Sequence, residues 1–186
     1  MDLTEKTLKS QLIFDGKILH VYNDEIELPN KKTANREYIK HIGAVCVIPV
    51  TNEGDVILVK QYRYAVSTPL LEIPAGKLDS ADEDPLEAAT RELREETGAV
   101  AGTMKPLGLY LGSPAILGEK IHMYLATELT FGETSPDEDE FLEICKIPLE
   151  KAVDMVINGE IADGKTQAGI LKAATILGVL NRRKEN

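Results

Sequence analysis

Three carboxylates, Glu92, Glu95 and Glu96, crowd into the stretch RELREETG that runs from Arg91 to Gly98. On a helix, side chains three and four apart are neighbours, and like charges there repel by roughly 0.2–0.5 kcal/mol per pair. Such a set either lies on a solvated acidic face or seats a cation. Carboxylate oxygens suit Mg²⁺, which commonly bridges carboxylates to phosphates. A divalent ion so held can act as a Lewis acid and as a template. Arg91, one turn before Glu95, is spaced to brace it by an ion pair.

These residues need a helix to hold them, and the flanking sequence specifies one over residues 85–97. Asp84 suits the N-cap, Pro85 the first helical position, and Glu87 stands three residues after Asp84 as in a capping box. Gly98 is a natural stop. At 100° per residue, Leu86, Ala89, Leu93 and Thr97 form the expected buried stripe. The three carboxylates occupy a neighbouring arc, at the border between core and solvent. The glycine-bearing loop PAGKLDSADED lies just upstream and can bring backbone carbonyls near the helix.

Gly76, Glu83 and the run from Arg91 through Glu92, Leu93, Glu95, Glu96 and Gly98 to Ala99 resemble the box of the Nudix hydrolases. That box reads G-x5-E-x7-R-E-U-x-E-E-x-G-U, with U aliphatic. One departure stands out: six residues separate Gly76 from Glu83, and Asp82 occupies the nominal Glu position. A one-residue insertion in the loop LDSAD accounts for it and leaves the helix intact. From about residue 36 to 170 the chain further resembles the ADP-ribose pyrophosphatase subgroup, in LLEIPAGKL, KQYRY, SPAILGEKIHMYLA, DEDEFLE and GEIADGKT. Pro114, sixteen residues after Gly98, sits in the segment that marks that subgroup.

The resemblance implies Mg²⁺-dependent hydrolysis (Mn²⁺ being the other candidate ion) of a nucleoside diphosphate sugar, ADP-ribose giving AMP and ribose 5-phosphate. A sister activity on GDP-mannose and a non-catalytic nucleotide-binding module are the alternatives. Glu92 and Glu96, one turn apart, are the expected metal ligands, with Glu95 beside them in the catalytic set; the resemblance adds the Ala75 carbonyl oxygen. It also implies that the general base comes from the acidic loop PDEDEF, where Glu140 is the first candidate and Glu138 the second. Arg63 in KQYRY can offer the diphosphate a bidentate contact. By resemblance, Arg36 reaches the nucleotide across a dimer, Glu72 orders the loop or contacts ribose, and Pro114 and Glu119 border the substrate. Tyr38 is placed either to stack on a base or to pack in a core. His20, His41 and His122 show no partner spacing and receive no catalytic role.

Composition limits the remaining possibilities. Lys and Arg number 21 against 31 Asp and Glu, a net charge of −10, which argues against nonspecific nucleic-acid binding. No apolar stretch approaches the length of a membrane span, and the first residues lack the plan of a signal peptide. Cys46 and Cys145 form no metal pattern and are expected to be buried free thiols in a reducing, cytoplasmic setting.

Apolar runs and turns predict the elements that carry the site. LIFDGKILHVYNDEIEL reads as a hairpin about Asp15-Gly16, and residues 30–32 make a second turn. GAVCVIPV reads as a strand buried on both faces, and VILVKQYRY, MKPLGLYLGSP, IHMYLATEL and FLEICKIPL as further strands. A helix starts at Pro148, and Asp163 is expected to cap a long one over residues 166–182, with Ile170, Ala174, Leu177 and Leu180 at core spacing. The expected fold is α/β, a Nudix-type α/β/α sandwich with a mixed sheet and a small N-terminal β domain. Residues 1–41 form the expected dimerisation region of a homodimer and residues 42–186 the catalytic domain.

Overall fold

The computed structural model describes residues 1–135 and 141–182. Its chain divides into two compact units, Met1–Gly43 with Leu111–Lys120, and Ala44–Tyr110 with the remainder from Ile121.

The smaller unit is an antiparallel meander of β1 (Lys6–Asp15), β2 (His20–Glu27) and β3 (Thr33–Lys40). The first turn closes where the Gly16 amide donates to the Leu19 carbonyl at 2.9 Å. The second places Lys31 at φ 68°, and the Lys32 amide donates to Asn30 Oδ1. The segment 111–120 joins β3 through two backbone bonds: Ile39 donates to Ile116 and Gly118 donates to Ile39. Every residue of β1 is exposed, including Leu8, Leu12, Ile13 and Phe14.

In the larger unit, β4 (Ala44–Pro49) lies between β9 (Ile121–Phe131), to which it is parallel, and β7 (Ala75–Lys77), to which it is antiparallel. β8 (Ala99–Tyr110) pairs with the outer edge of β9. A second sheet joins β10 (Glu143–Pro148), β5 (Asp55–Arg63) and β6 (Thr68–Glu72). The mixed sheet explains the continuous apolar run of β4, because both its faces are covered. Val45 and Val47 pack with Ala88, Ala89 and Leu93 of α1 (Pro85–Thr97). Ala44, Cys46 and Ile48 pack instead with residues of α2 (Leu149–Ile157) and α3 (Gly164–Ile176). Helices on both faces of the sheet make an α/β/α sandwich.

The structure corrects four expectations. Leu86 is 43% exposed, and the buried side of α1 is Ala88, Ala89, Leu93, Glu96 and Thr97. The two alanines let the helix lie close to β4, which turns Leu86 outward and Glu96 inward. The final helix is not continuous: α3 ends at Ile176, Gly178 takes φ 74°, and a short α4 (Val179–Arg182) follows. Glycine readily adopts that left-handed conformation, so Leu177 falls at the break, partly exposed. Cys145 is only half-buried, since β10 is an edge strand whose residues are largely exposed. β8 begins directly after Gly98, several residues before the expected strand.

Gly98 is the joint between helix and strand. It takes φ 69°, its amide donates to the Arg94 carbonyl at 2.8 Å, and a Cβ there would meet the Gly132 carbonyl oxygen at 2.4 Å. Alanine would meet both left-handed strain and a backbone clash. We expect Gly98→Ala to destabilise the protein by roughly 2–4 kcal/mol, seen as a lower thermal midpoint; an unchanged midpoint would show that the joint relaxes freely.

Candidate active site

α1 and β7 bring the central groups together within the larger unit. Glu96 is a carboxylate only 3% exposed, and its Oε2 accepts the Ala75 amide at 3.2 Å. Glu92, one turn earlier, lies so close to Gly76 that a Cβ there would sit 2.1 Å from the Glu92 carboxyl carbon. Glycine at position 76 thus leaves the Glu92 carboxylate the place it takes beside β7, and a side chain there would push that carboxylate aside.

Arg91 gathers the other acids. Its Nη1 donates to Glu92 Oε1 at 2.8 Å and to Glu95 Oε2 at 3.2 Å, while Nη2 donates to Glu83 Oε1 at 3.4 Å and lies 3.6 Å from Asp79 Oδ1. Burial works against this charge, but the neighbouring carboxylates, led by Glu92, outweigh it and hold the guanidinium more firmly protonated than usual. Arg91 Nε is buried without a hydrogen-bond partner. Glu83, rather than Asp82, faces Arg91, and the Asp79 amide donates to Glu83 Oε2 at 2.6 Å. Residues 79–82 are exposed, so the extra loop residue is accommodated on the solvent side.

Among the described residues no three His, Cys, Asp or Glu side chains form a ready metal cage. Mg²⁺ does not require one, because it is usually held by one or two carboxylates with substrate phosphates and waters completing the shell. Glu92 and Glu96, packed against the backbone of residues 75–76, supply hard oxygen donors of the right kind, with Glu95 adjacent through Arg91. The donor set fits a divalent cation.

A second charged cluster borders the first. Glu72, at the end of β6, is 1% exposed. Arg63 clasps it with Nε and Nη2 at 2.7 and 2.8 Å, and Lys165 Nζ also donates to it. Lys165 further lies 3.1 Å from Asp163 Oδ2. Burial pushes the Glu72 carboxyl up, but the bonds from Arg63 and the charge of Lys165 dominate and leave it below its ordinary value of 4.5. Arg63 in turn is held above its usual range, chiefly by its bonds to Glu72. Two nitrogens of Arg63 are committed to Glu72; Nη1 makes neither of these bonds.

The remaining expected residues fall in the smaller unit or outside the described residues. Arg36 is ion-paired with Glu5, at the surface. Tyr38 stacks on Tyr22 with ring centroids 5.6 Å apart, and its hydroxyl donates to Asp24 Oδ2 at 3.3 Å. Glu119 lies 3.5 Å from His41 Nε2, and Pro114 is exposed on the segment 111–120. His20 pairs with Asp15 across the first turn at 2.6 Å, a partnership that sequence spacing did not reveal. Glu138 and Glu140 lie outside the described residues. Sequence reasoning did not single out Lys165. Its signal was a lysine two residues after a helix-capping Asp163, which becomes meaningful only once Glu72 is known to be buried nearby.

The model of the NUDIX domain matches residues 40–167, and that of the nucleoside diphosphate sugar hydrolase N-terminal domain matches residues 5–39. The chain belongs to the NUDIX family: fold and site together define a Nudix hydrolase, a class that works with a divalent metal ion. It is 43% identical over 170 residues to the ADP-ribose pyrophosphatase of Bacillus subtilis (strain 168), covering 90% of this chain and 91% of that protein. It is 42% identical over 164 residues to the methanol dehydrogenase activator of Bacillus methanolicus, covering 87% and 88%. Among solved structures, an ADP compounds hydrolase superposes with a TM-score of 0.83 over 98% of this chain and 99% of that one; at 21% identity this likeness shows the fold.

The Glu72 cluster has a pH signature. A carboxyl whose native pKa is depressed contributes stability that is complete above the unfolded value, here 4.5, and is lost as pH falls through the lower native value. Glu72→Gln leaves Lys165 and Arg63 without their shared partner and should cost roughly 3 kcal/mol near pH 7. Denaturant melts of both proteins should show that gap narrowing progressively below about pH 4.5; a gap independent of pH would contradict an ionised Glu72.

Proposed function

We propose that this chain hydrolyses the diphosphate bond of a nucleoside diphosphate sugar with Mg²⁺, and that ADP-ribose, cleaved to AMP and ribose 5-phosphate, is its substrate. One observation carries the reading. A nearly buried carboxylate, Glu96, and its neighbour Glu92 are held against the backbone of Ala75 and Gly76, where core packing alone would favour apolar side chains. The similarity to an ADP-ribose pyrophosphatase over most of the chain supports the choice of sugar nucleotide.

The bound ion would withdraw charge from the diphosphate and acidify a water. Glu92 and Glu96 would hold it, with the Ala75 carbonyl oxygen as a further donor and Glu95 alongside. Water adds to one phosphorus, the bridging P–O bond breaks, and the departing phosphate leaves as a phosphomonoester. Glu140, or Glu138 in its place, takes the water's proton. Arg63, oriented by Glu72, offers its remaining N–H groups to the diphosphate. Arg36 and Tyr38 serve the nucleotide, with Pro114 and Glu119 bordering it.

The protein acts as a homodimer built through its N-terminal strands. Support comes from β1, whose apolar residues Leu8, Leu12, Ile13 and Phe14 are all exposed in the single chain. No helix among the described residues is long and apolar enough to cross a membrane. Cys46 and Cys145 are not joined in a disulfide, which supports a reducing, cytoplasmic setting.

Incubation with Mg²⁺ and either ADP-ribose or GDP-mannose, followed by quantifying AMP and GMP, decides the substrate; AMP release should predominate. Glu96→Gln should lower turnover by roughly a hundredfold or more at saturating Mg²⁺. A loss under about threefold would remove Glu96 from the mechanism. Sedimentation should give the mass of a dimer at micromolar concentration, and a fully active monomer would refute the shared assembly.

A further inference from the structure

The N-terminal turn of α3 touches the segment that leads into the box at two points, Ile73 and Glu72. Asp163 Oδ2 accepts from the Thr166 amide at 2.8 Å and from the Thr166 hydroxyl at 2.5 Å. The same hydroxyl oxygen accepts the Ile73 amide at 2.9 Å, a bond spanning 93 residues of sequence. Thr166 is fully buried. Lys165, its side chain 11% exposed, bridges Asp163 and Glu72. Beyond Ile73, the Pro74 carbonyl accepts the Val47 amide at 2.9 Å and the Ala75 amide donates to Glu96. Position after position from Glu72 to Ala75 is thus tied to something that is not its chain neighbour.

We infer that Asp163, Lys165 and Thr166 form a clamp that sets the backbone of residues 73–75 against Glu96, making Lys165 and Thr166 positioning residues for the metal-binding carboxylates. The inference rests on the reading of Glu92 and Glu96 as metal ligands. Three features distinguish a positioning device from ordinary core packing. The contacts are polar and directional, so they fix the angle of the segment as well as its depth. Charges balance within the cluster, with Arg63 and Lys165 facing Glu72 and Asp163. The clamped segment also ends on the amide that Glu96 accepts. A shift of residues 73–75 would therefore move a hydrogen bond of the expected ligand, and partners of metal ligands typically influence metal affinity or activity by about 10–100-fold.

The Thr166 hydroxyl can be removed with little change of shape by Thr166→Val and retained by Thr166→Ser. Calorimetric titration of the full-length, metal-free protein with Mn²⁺, without substrate, reads the effect apart from catalysis. Thr166→Ser should bind Mn²⁺ as the wild type does, and Thr166→Val should bind it about tenfold more weakly. A thermal melt of metal-free Thr166→Val, showing it folded at the titration temperature, separates weakened metal binding from mere loss of stability. A folded Thr166→Val with wild-type Mn²⁺ affinity overturns the clamp and leaves the metal ligands standing. Failure of the wild type itself to bind Mn²⁺ overturns the proposed function with it. Should Thr166→Val not fold, Lys165→Met carries the same titration: weaker binding supports the clamp, and unchanged binding overturns it.

Discussion

A nearly buried carboxylate bonded to a backbone amide is the contact on which the site depends. Glu96 is turned inward by the small alanines of α1, and its oxygen meets the Ala75 amide. An ionised group in that position is costly unless its lone pairs are satisfied. The protein places β7 alongside the helix, and at Gly76 the Glu92 carboxylate fills the space a side chain would take. The box residues are spaced as they are because the carboxylates and the loop backbone share a confined volume.

The chain is strongly acidic overall, yet its site is organised by cations. Arg91 draws Glu83, Glu92 and Glu95 together, while Arg63 and Lys165 converge on Glu72. Each cation offsets the repulsion that its carboxylates would otherwise feel in a poorly solvated position. The two clusters differ in burial and in consequence. Glu72 is buried among its partners. The acids around Arg91 remain partly open, with Glu95 a third exposed. A surplus of negative charge is compatible with a phosphorylated ligand because cations are concentrated where they are needed.

The smaller unit has its own logic. Its meander buries Asp24 and Ile26 but leaves the whole of β1 in solvent. A three-stranded sheet with apolar residues exposed along its outer strand is incomplete by itself. Asp24 is nonetheless satisfied within the unit, by the hydroxyls of Ser10 and Tyr38. The aromatic pair Tyr22 and Tyr38, with Lys40 above Tyr22, stiffens the same sheet.

Local chemistry made much of this legible in the sequence. Asp84, Pro85 and Gly98 delimit α1 because caps and left-handed stops act within a few residues. The apolar run of β4 announced a strand covered on both faces, and the spacing of Arg91, Glu92, Glu95 and Glu96 announced the family. What periodicity misjudged was the rotation of α1, because the depth at which a helix packs depends on its partner sheet: Leu86 went out and Glu96 went in. Gly178 ended α3 early, although a lone glycine in a helical pattern is often tolerated. The partners of the charged groups were invisible. Glu96 meets Ala75 from 21 residues away, and Ile73 and Glu72 meet Thr166 and Lys165 from 93. The sequence by itself determined which residue types could bind a cation and where the helix carrying them begins and ends. Tertiary structure alone decided which acids are buried and what neutralises them, because burial and pairing arise from distant segments packed into the same volume.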